Sequence, residues 1–528
     1  MQHKKIVFTL TLAGLFTLPN FAFANDSSEL EELRGLVQEL SQQVKVLARK
    51  GEINEEETAK AKKEAPVVKA SSSGFSFGSA DGKNEIKFRG IVQADHRSYS
   101  NGANDVRGRS DTRAGTLDTK TGFRDAEDTS LLRRVRPTIE GKVGGKYGFR
   151  FTPEFAGGSA SVVDAYGEAN FNPAFNIRAG KFKSSVGLER LQGGGDTKFI
   201  ERSYVTNAIL PNRDLGASVY GDVLDKKLSY NFGVVNGVTD GGNISTGTEY
   251  SGSREYTARL FTTPFADNAN ALSGLGFGIG ATWTDFTGER NLDFVKTSAA
   301  DATRNGLPSY VSAGQQTFFR YGSASVADGE RFRFSPQASY YLGPLGLITE
   351  YARVDQDVSL LKSTTSNADS IIAPDTRKKL SHDAWQIAAS YLLTGEEASF
   401  KGVKPKNDFD LDKGGWGAWE LVARYSEINL DEDTFKNQAG KFASEGTDKK
   451  SAYADLSKSA KSAESWALGV NWYLNANAKI ALNYEHTSFD GGALQKGLKQ
   501  ATKINAKGSN IADREDEDAI FARFQVAF

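Results

Sequence analysis

From Asn84 to Phe528, apolar and polar residues alternate with period two in run after run. Ile86, Phe88, Val92 and Ala94 alternate with Lys87, Arg89, Gln93 and Asp95. Leu275, Phe277, Ile279, Ala281 and Trp283 share one face, as do Trp466, Leu468, Val470 and Trp472. Period two means strands. The runs are about nine to eleven residues long, the length a tilted strand needs to cross a bilayer. A soluble sandwich would normally use shorter ones. The connections alternate as well. Short turns (Gly144-Gly145, Asn172-Pro173, Asp225-Lys226, Gly343-Pro344, Asn475-Ala476) lie between long polar stretches at 98–130, 184–214, 237–253, 286–330, 356–381, 429–463 and 489–518. Short turns on one side and long loops on the other mark an outer-membrane barrel. The fold class is therefore all-β, a sixteen-stranded antiparallel transmembrane β-barrel over 84–528 with both termini periplasmic. The connection Thr394 to Trp416 is long yet falls on the turn side, which leaves room for it to fold inward.

The chain's address agrees. Lys4 and Lys5 precede an apolar run from Ile6 to Leu18, and Ala22-Phe23-Ala24 has the form of a cleavage site. Residues 1–24 read as a signal peptide and send the protein to the envelope of a Gram-negative cell. A mean hydropathy of -0.45 does not argue against a membrane, because alternating strands average out. The absence of Cys excludes disulfides and thiolate metal sites. Without the signal's two Lys, 63 cations face 66 acids. Any preference for anions must therefore be local.

Leu30, Leu33, Val37, Leu40, Val44 and Leu47 repeat at heptad spacing, so residues 25–50 read as a homo-oligomeric α-helical coiled coil in the periplasm, with a single amphipathic helix as the alternative; a trimeric coil would match a trimeric porin. Residues 51–83 carry charge blocks, one Pro and a Ser run, and read as a flexible linker. The chain ends on alternating apolar residues and a terminal Phe528. That is the form of the β-signal read by the barrel-assembly machinery, an expected partner alongside outer-membrane lipid.

The stretch Gly180 to Ser203 is too long and too charged for a hairpin. Lys183, Arg190, Lys198 and Arg202 are interleaved with Glu189, Asp196 and Glu201, and Gly193-Gly194-Gly195 lets the backbone turn. It reads as a loop folded into the lumen, with an ordinary exposed loop as the alternative. Arg133, Arg134 and Arg136 form the densest cationic stretch of any strand, with Arg133 at the strand's mouth. Lys87, Arg89, Arg150, Arg259, Arg333, Arg424 and Arg523 fall on lumen faces. Guanidinium groups bond oxyanions bidentately, and rings of Arg or Lys make anion pores. The competing reading pairs most wall arginines with lumen acids such as Glu140, Glu154 and Glu420.

Enzyme chemistry finds little support. Beyond His3 in the signal there are only His96, His382 and His486, without metal spacing. Gly276, Gly278 and Gly280 lie inside an alternating strand with no helix after them, so they are no nucleotide loop. No cofactor, metal or nucleic-acid partner is expected.

The segments LRRVRPTIEG, DAYGEANFNPAFNIRAGKFKSSVGLERL with FIERS, TARLFTTPF, KGVKPKNDFDLDKGGWGAWELVARYS and WALGVNWYLNANAKIALNYEH occur in order. In them the chain resembles the phosphate-selective porins of the O and P type. The resemblance implies a trimeric sixteen-stranded porin with inward loops and an arginine-lined eyelet. On matching positions Arg133, Arg134 and Arg202 would line it. Arg190 stands where phosphate-selective members have Lys, Lys183 and Arg136 where an aromatic is expected, and Gly193-Gly194 where Ser hydroxyls are expected. The expected function is passive, anion-preferring diffusion of small solutes, phosphate-like oxyanions first. The alternatives are a porin for other small solutes and a structural protein tethering outer membrane to cell wall.

Overall fold

The computed structural model describes residues 27–99, 128–244, 252–288, 305–363, 370–372, 375–436, 452–456, 459–494 and 511–528. Contacts divide the chain into two units, 1–65 and 66–528.

In the first unit one helix runs from Ser27 to Glu64. Leu33, Val37, Leu40, Val44 and Leu47 form an exposed apolar stripe along it. The helix thus continues fourteen residues past the expected end of the heptad segment, through most of the stretch read as a flexible linker. Its extension is rich in Glu, Lys and Ala, strong helix formers with Glu56 and Lys60 at a favourable spacing of four. The rest of the supposed linker is not flexible chain either. Val67–Ser71 and Gly74–Gly78 form an antiparallel hairpin, and its second strand pairs with Glu85–Phe88.

Sixteen strands then close into a barrel. They are β1 Glu85–Tyr99, β2 Thr129–Val143, β3 Tyr147–Glu154, β4 Ser161–Asn172, β5 Phe175–Lys183, β6 Arg213–Val223, β7 Leu228–Val235 and β8 Glu255–Thr262. The second half is β9 Leu275–Thr287, β10 Ser325–Leu342, β11 Leu345–Ser363, β12 Lys378–Leu392, β13 Ala418–Asn429, β14 Ala460–Tyr473, β15 Ala478–Leu494 and β16 Glu517–Ala527. Each pairs antiparallel with its sequence neighbour, and β16 returns to β1 with Ala519 opposite Tyr99 and Ala527 opposite Ile91. Closure removes every free sheet edge in principle. Outward residues are the apolar ones of the alternating runs: Ile279, Leu468, Leu482 and Phe524 stay about half exposed in a single chain. Aromatic pairs such as Trp385–Tyr425 (5.1 Å) and Trp419–Trp472 (5.0 Å) mark the girdles of this belt.

Phe528 finishes the closing seam. Its N–H donates to the Gly90 carbonyl at 3.0 Å, and Gly90 donates back at 2.8 Å. The Phe528 ring lies where a Cβ on residue 90 would come within 2.5 Å, so a larger residue there would have to push the ring aside. Deleting Phe528 should slow barrel assembly and leave protein in the periplasm. The readout is the heat-modifiable folded band, and wild-type levels of it would count against the β-signal.

Among the described residues three connections enter the lumen. Residues 184–212, between β5 and β6, cross to the far wall. Ile200 N–H donates to Asn483 Oδ1 (2.7 Å), while Asn471 and Lys479 donate to the Lys198 and Thr197 carbonyls (2.9 and 3.0 Å). The long turn between β12 and β13 also folds inward: Gly402 N–H donates to Asp196 Oδ1 at 2.9 Å, and Gln192 Nε2 to the Phe400 carbonyl at 3.1 Å. The third is a tongue from the β9–β10 loop, a hairpin of Ser309–Val311 and Thr317–Arg320. The sequence reading took 286–330 for a polar loop. Yet Tyr310, Phe318 and Phe319 are fully buried against Tyr204, Ile209 and Leu210 of the first loop and Val358 and Leu380 of the wall. Alternation does not flag this apolar core inside the barrel, because the tongue buries both of its faces.

A cationic cavity behind the inward loop

These insertions pack against the β10 to β16 side of the wall. On the β2 to β6 side a cavity of about 820 Å³ remains. Eight cations and two carboxylates line it, so its own field is positive. Six of the seven cations expected at an eyelet meet here: Arg133, Arg134, Arg136, Lys183, Arg190 and Arg202.

Strand β2 delivers three of them by an irregularity. Opposite β1, Gln93 faces Arg134 while the next residue, Ala94, faces Leu132. Arg133 is the extra residue of a bulge, which is how two consecutive arginines reach one lumen. Arg133 is therefore not at the mouth of the strand, where strict alternation put it, but inside β2. The inward loop delivers Arg190 from its short helix Leu188–Leu191, and Arg202 from further along the loop. Glu350 on β11 fixes that helix by accepting from the Leu188 and Glu189 N–H groups, the second at 2.9 Å.

The Gly triplet has a different use from the sharp turn expected of it. None of the three has positive φ. A Cβ on Gly194 would lie 3.2 Å from Arg134 Cδ and Nε, and one on Gly195 3.2 Å from Gln525 Nε2. Bare backbone lets the loop's carbonyls reach the wall, with Gln93 donating to Gly194 O at 2.9 Å and Gln525 to Gly195 O at 3.1 Å.

Partners then separate the cations. Arg133 pairs with Glu201 (3.2 Å) and Arg136 with Glu154 (2.5 Å). Lys198 does not reach the cavity. It pairs with Glu420 at 2.8 Å on the opposite wall and clamps the loop there, which corrects its expected eyelet place. Arg134, Lys183, Arg190 and Arg202 have no carboxylate partner within ion-pair distance among the described residues. Arg134 donates to Gln93 Oε1 (2.5 Å) and Arg190 to the Thr206 carbonyl. Lys183 and Arg202 converge on one acceptor, the Gln192 carbonyl, at 2.8 and 3.0 Å. Among the described residues the Nε groups of Arg134, Arg190 and Arg202 are buried without an acceptor. Burial, then the neighbouring Arg202 and Arg213, press Arg190 well below its ordinary pKa; burial brings Arg202 down to about 10. Chemically, the cluster is a set of charged donors without a full set of acceptors.

The expected wall arginines are mostly paired. Arg89 and Arg150 share Glu140, Arg333 binds Asp240 and Glu255, Arg424 binds Glu485, and Arg523 binds Asp95 through two bonds. Arg259 donates to Gln337 Oε1 at 2.9 Å, and Lys87 to Ser73 Oγ of the preceding hairpin at 3.3 Å. These groups stiffen the wall. Sequence reasoning missed Lys181 and Arg213, which also line the cavity. Lys181 shares a strand face with Lys183, so period two could have found it.

The model for the phosphate-selective porin O and P family matches residues 105–528. The chain belongs to that family. This makes it an outer-membrane channel protein rather than an enzyme. No curated protein matches the porin in sequence. Among solved structures the porin is similar to OmpT of Vibrio cholerae in its trimer form, at 11% identity, 84% of this chain, 99% of the other and a TM-score of 0.44. It is also similar to the outer membrane channel DcaP of Acinetobacter baumannii (10% identity, 84% and 97% coverage, TM-score 0.46). OprB of Pseudomonas putida is another such structure, at 9% identity, 84% and 94% coverage and a TM-score of 0.44.

Proposed function

We propose that this porin conducts small anions by passive diffusion, with phosphate-like oxyanions as its best-fitting solutes, and that it opens between the outside and the periplasm with its termini periplasmic. The observation that carries this is the set Arg134, Lys183, Arg190 and Arg202, gathered on one cavity with no carboxylate partner among the described residues. A solute shedding part of its hydration in a narrow lumen needs replacement donors, and these four supply them. Gly193 and Gly194 offer no hydroxyls, so phosphate gains little over other oxyanions of similar size. Planar-bilayer reversal potentials in a salt gradient test the reading. An anion-selective sign, with current block by phosphate, is expected; a cation-selective sign would overturn it.

The exposed stripe from Leu33 to Leu47 favours a trimeric coil as the assembly unit. Replacing Leu33, Leu40 and Leu47 with Asp should abolish association of a peptide spanning 27–64, read by analytical ultracentrifugation. A wild-type peptide that stays monomeric at high concentration would rule the coil out.

A further inference from the structure

The far wall carries a row of polar side chains in register. Gln337 on β10 lies opposite Glu350 on β11, Glu350 opposite Gln386 on β12, and Gln386 opposite Ser426 on β13. Directly opposed residues of neighbouring strands share a face and reach one another. All four are buried, Gln386 completely. Three of them hold the inward loop by its backbone. Gln337 Nε2 donates to the Val186 carbonyl at 2.8 Å, Glu350 accepts from the Leu188 and Glu189 N–H groups, and Ser426 Oγ accepts from Tyr204 N–H at 3.2 Å.

Gln386 does something different: it bridges two carboxylates. Its Nε2 lies 3.0 Å from Glu350 Oε2 and 3.3 Å from Glu189 Oε2. An amide NH2 carries two hydrogens, one for each oxygen. The amide has to be turned this way, because its own oxygen would otherwise face two anions. Glu189 Oε2 also accepts from Ser203, at 3.2 Å from the N–H and 2.7 Å from Oγ. Among the described residues Glu350 has no cation within ion-pair distance, and Glu189 has only Arg424, 3.8 Å from its Oε1. The other cations that feel the pair are Arg190 and Arg202 from the loop and Arg259 from β8. Two buried like charges repel, and here one neutral amide stands between them.

Glu189 immediately precedes Arg190, and Ser203 immediately follows Arg202. The bridge thus ties the outgoing and returning limbs of the loop to each other and both to β12. Arg190 and Arg202 are the two guanidinium groups that this loop gives to the cavity. An oxyanion bound by both needs them at a fixed separation, since hydrogen bonds weaken steeply with distance and angle.

We propose that Gln386 is a positioning residue of the eyelet: by bridging Glu350 and Glu189 it fixes the spacing of Arg190 and Arg202, and so how tightly an oxyanion is held. Gln386 itself does not line the cavity. The inference rests on the anion-channel reading and adds what holds the donors in place.

The test is a double-mutant cycle on the full-length porin in planar bilayers, with two readouts: the phosphate concentration that half-blocks the current, and open-channel noise in KCl. Gln386→Leu should raise the half-block concentration about tenfold, the scale of a lost bond to a charged group, and should increase the noise as the loop loosens. In a Glu350→Gln background the residue at 350 can itself donate to Glu189 while its oxygen accepts from the loop. There the same Gln386→Leu change should cost less than about twofold and add no noise. A field effect alone would be additive, so an equal cost in both backgrounds would overturn the proposal, as would a Gln386→Leu channel identical to wild type. If Gln386→Leu alone yields no heat-modifiable barrel, the double variant should fold; its failure would overturn the proposal too. Noise does not depend on which ion the pore prefers. A cation-selective wild type would therefore sink the anion-channel reading while the noise comparison still decides the role of Gln386.

Discussion

Arg202→Glu and Arg134→Glu should each move the porin's reversal potential strongly toward cations. In a tenfold salt gradient perfect selectivity corresponds to about 59 mV, and either substitution should remove much of the wild-type displacement. The physical reason is local. Arg134 is buried and Arg202 partly buried at the cavity, and among the described residues neither has a carboxylate partner and each keeps an Nε without an acceptor. Inverting one changes the net charge of the cluster by two, next to cations that remain. Block by phosphate or pyrophosphate should weaken in parallel, because the same donors serve it. The effect should shrink at high salt, where screening shortens the field's reach. Arg424→Gln is the contrast. That guanidinium is bound to Glu485 and to the Glu201 carbonyl on the far wall, so its loss should loosen the loop rather than invert the field. If Arg134 and Arg202 variants keep wild-type selectivity in planar bilayers, the inward loop does not set the filter.

The second large effect concerns the tongue. Replacing residues 308–322 by a short Gly-Ser link should raise single-channel conductance several-fold and lower anion selectivity. The tongue spans the lumen: Tyr310 Oη donates to Asp240 (2.9 Å), Tyr321 bonds His382 (2.7 Å), and Gly314 N–H donates to Glu517 (2.8 Å). Its aromatic rings occupy space that water would otherwise fill. Removal uncovers Tyr204, Ile209 and Leu210, so some thermal stability should be lost as well, since each loses apolar contact. The closed barrel should survive, because its ladders do not use the tongue. Unchanged conductance in a folded variant would mean that the current runs only along the β2 to β6 side. A milder variant, Asp196→Ala, frees the inward turn at Gly402 and should add a smaller conductance rise.

Much of this protein was determined by its sequence alone. Period two, run length and the alternation of short and long connections specify sixteen membrane strands, because strand pairing between neighbours is local and the bilayer fixes strand length. The inward loop was one of two readings of a stretch with too much charge for a hairpin, which also singled out Lys183, Arg190 and Arg202; Arg133, Arg134 and Arg136 were legible as the densest cationic run on a strand. Tertiary structure alone decided which of those cations have a carboxylate partner among the described residues. Lys198 and Glu420 are far apart in sequence, as are Arg133 and Glu201, and a pairing is set by where a loop lands, which local pattern does not encode. The bulge at Arg133 is a register matter between β1 and β2, invisible to either strand alone. The tongue hid in a stretch that looked polar, because residues buried on both faces carry no alternation.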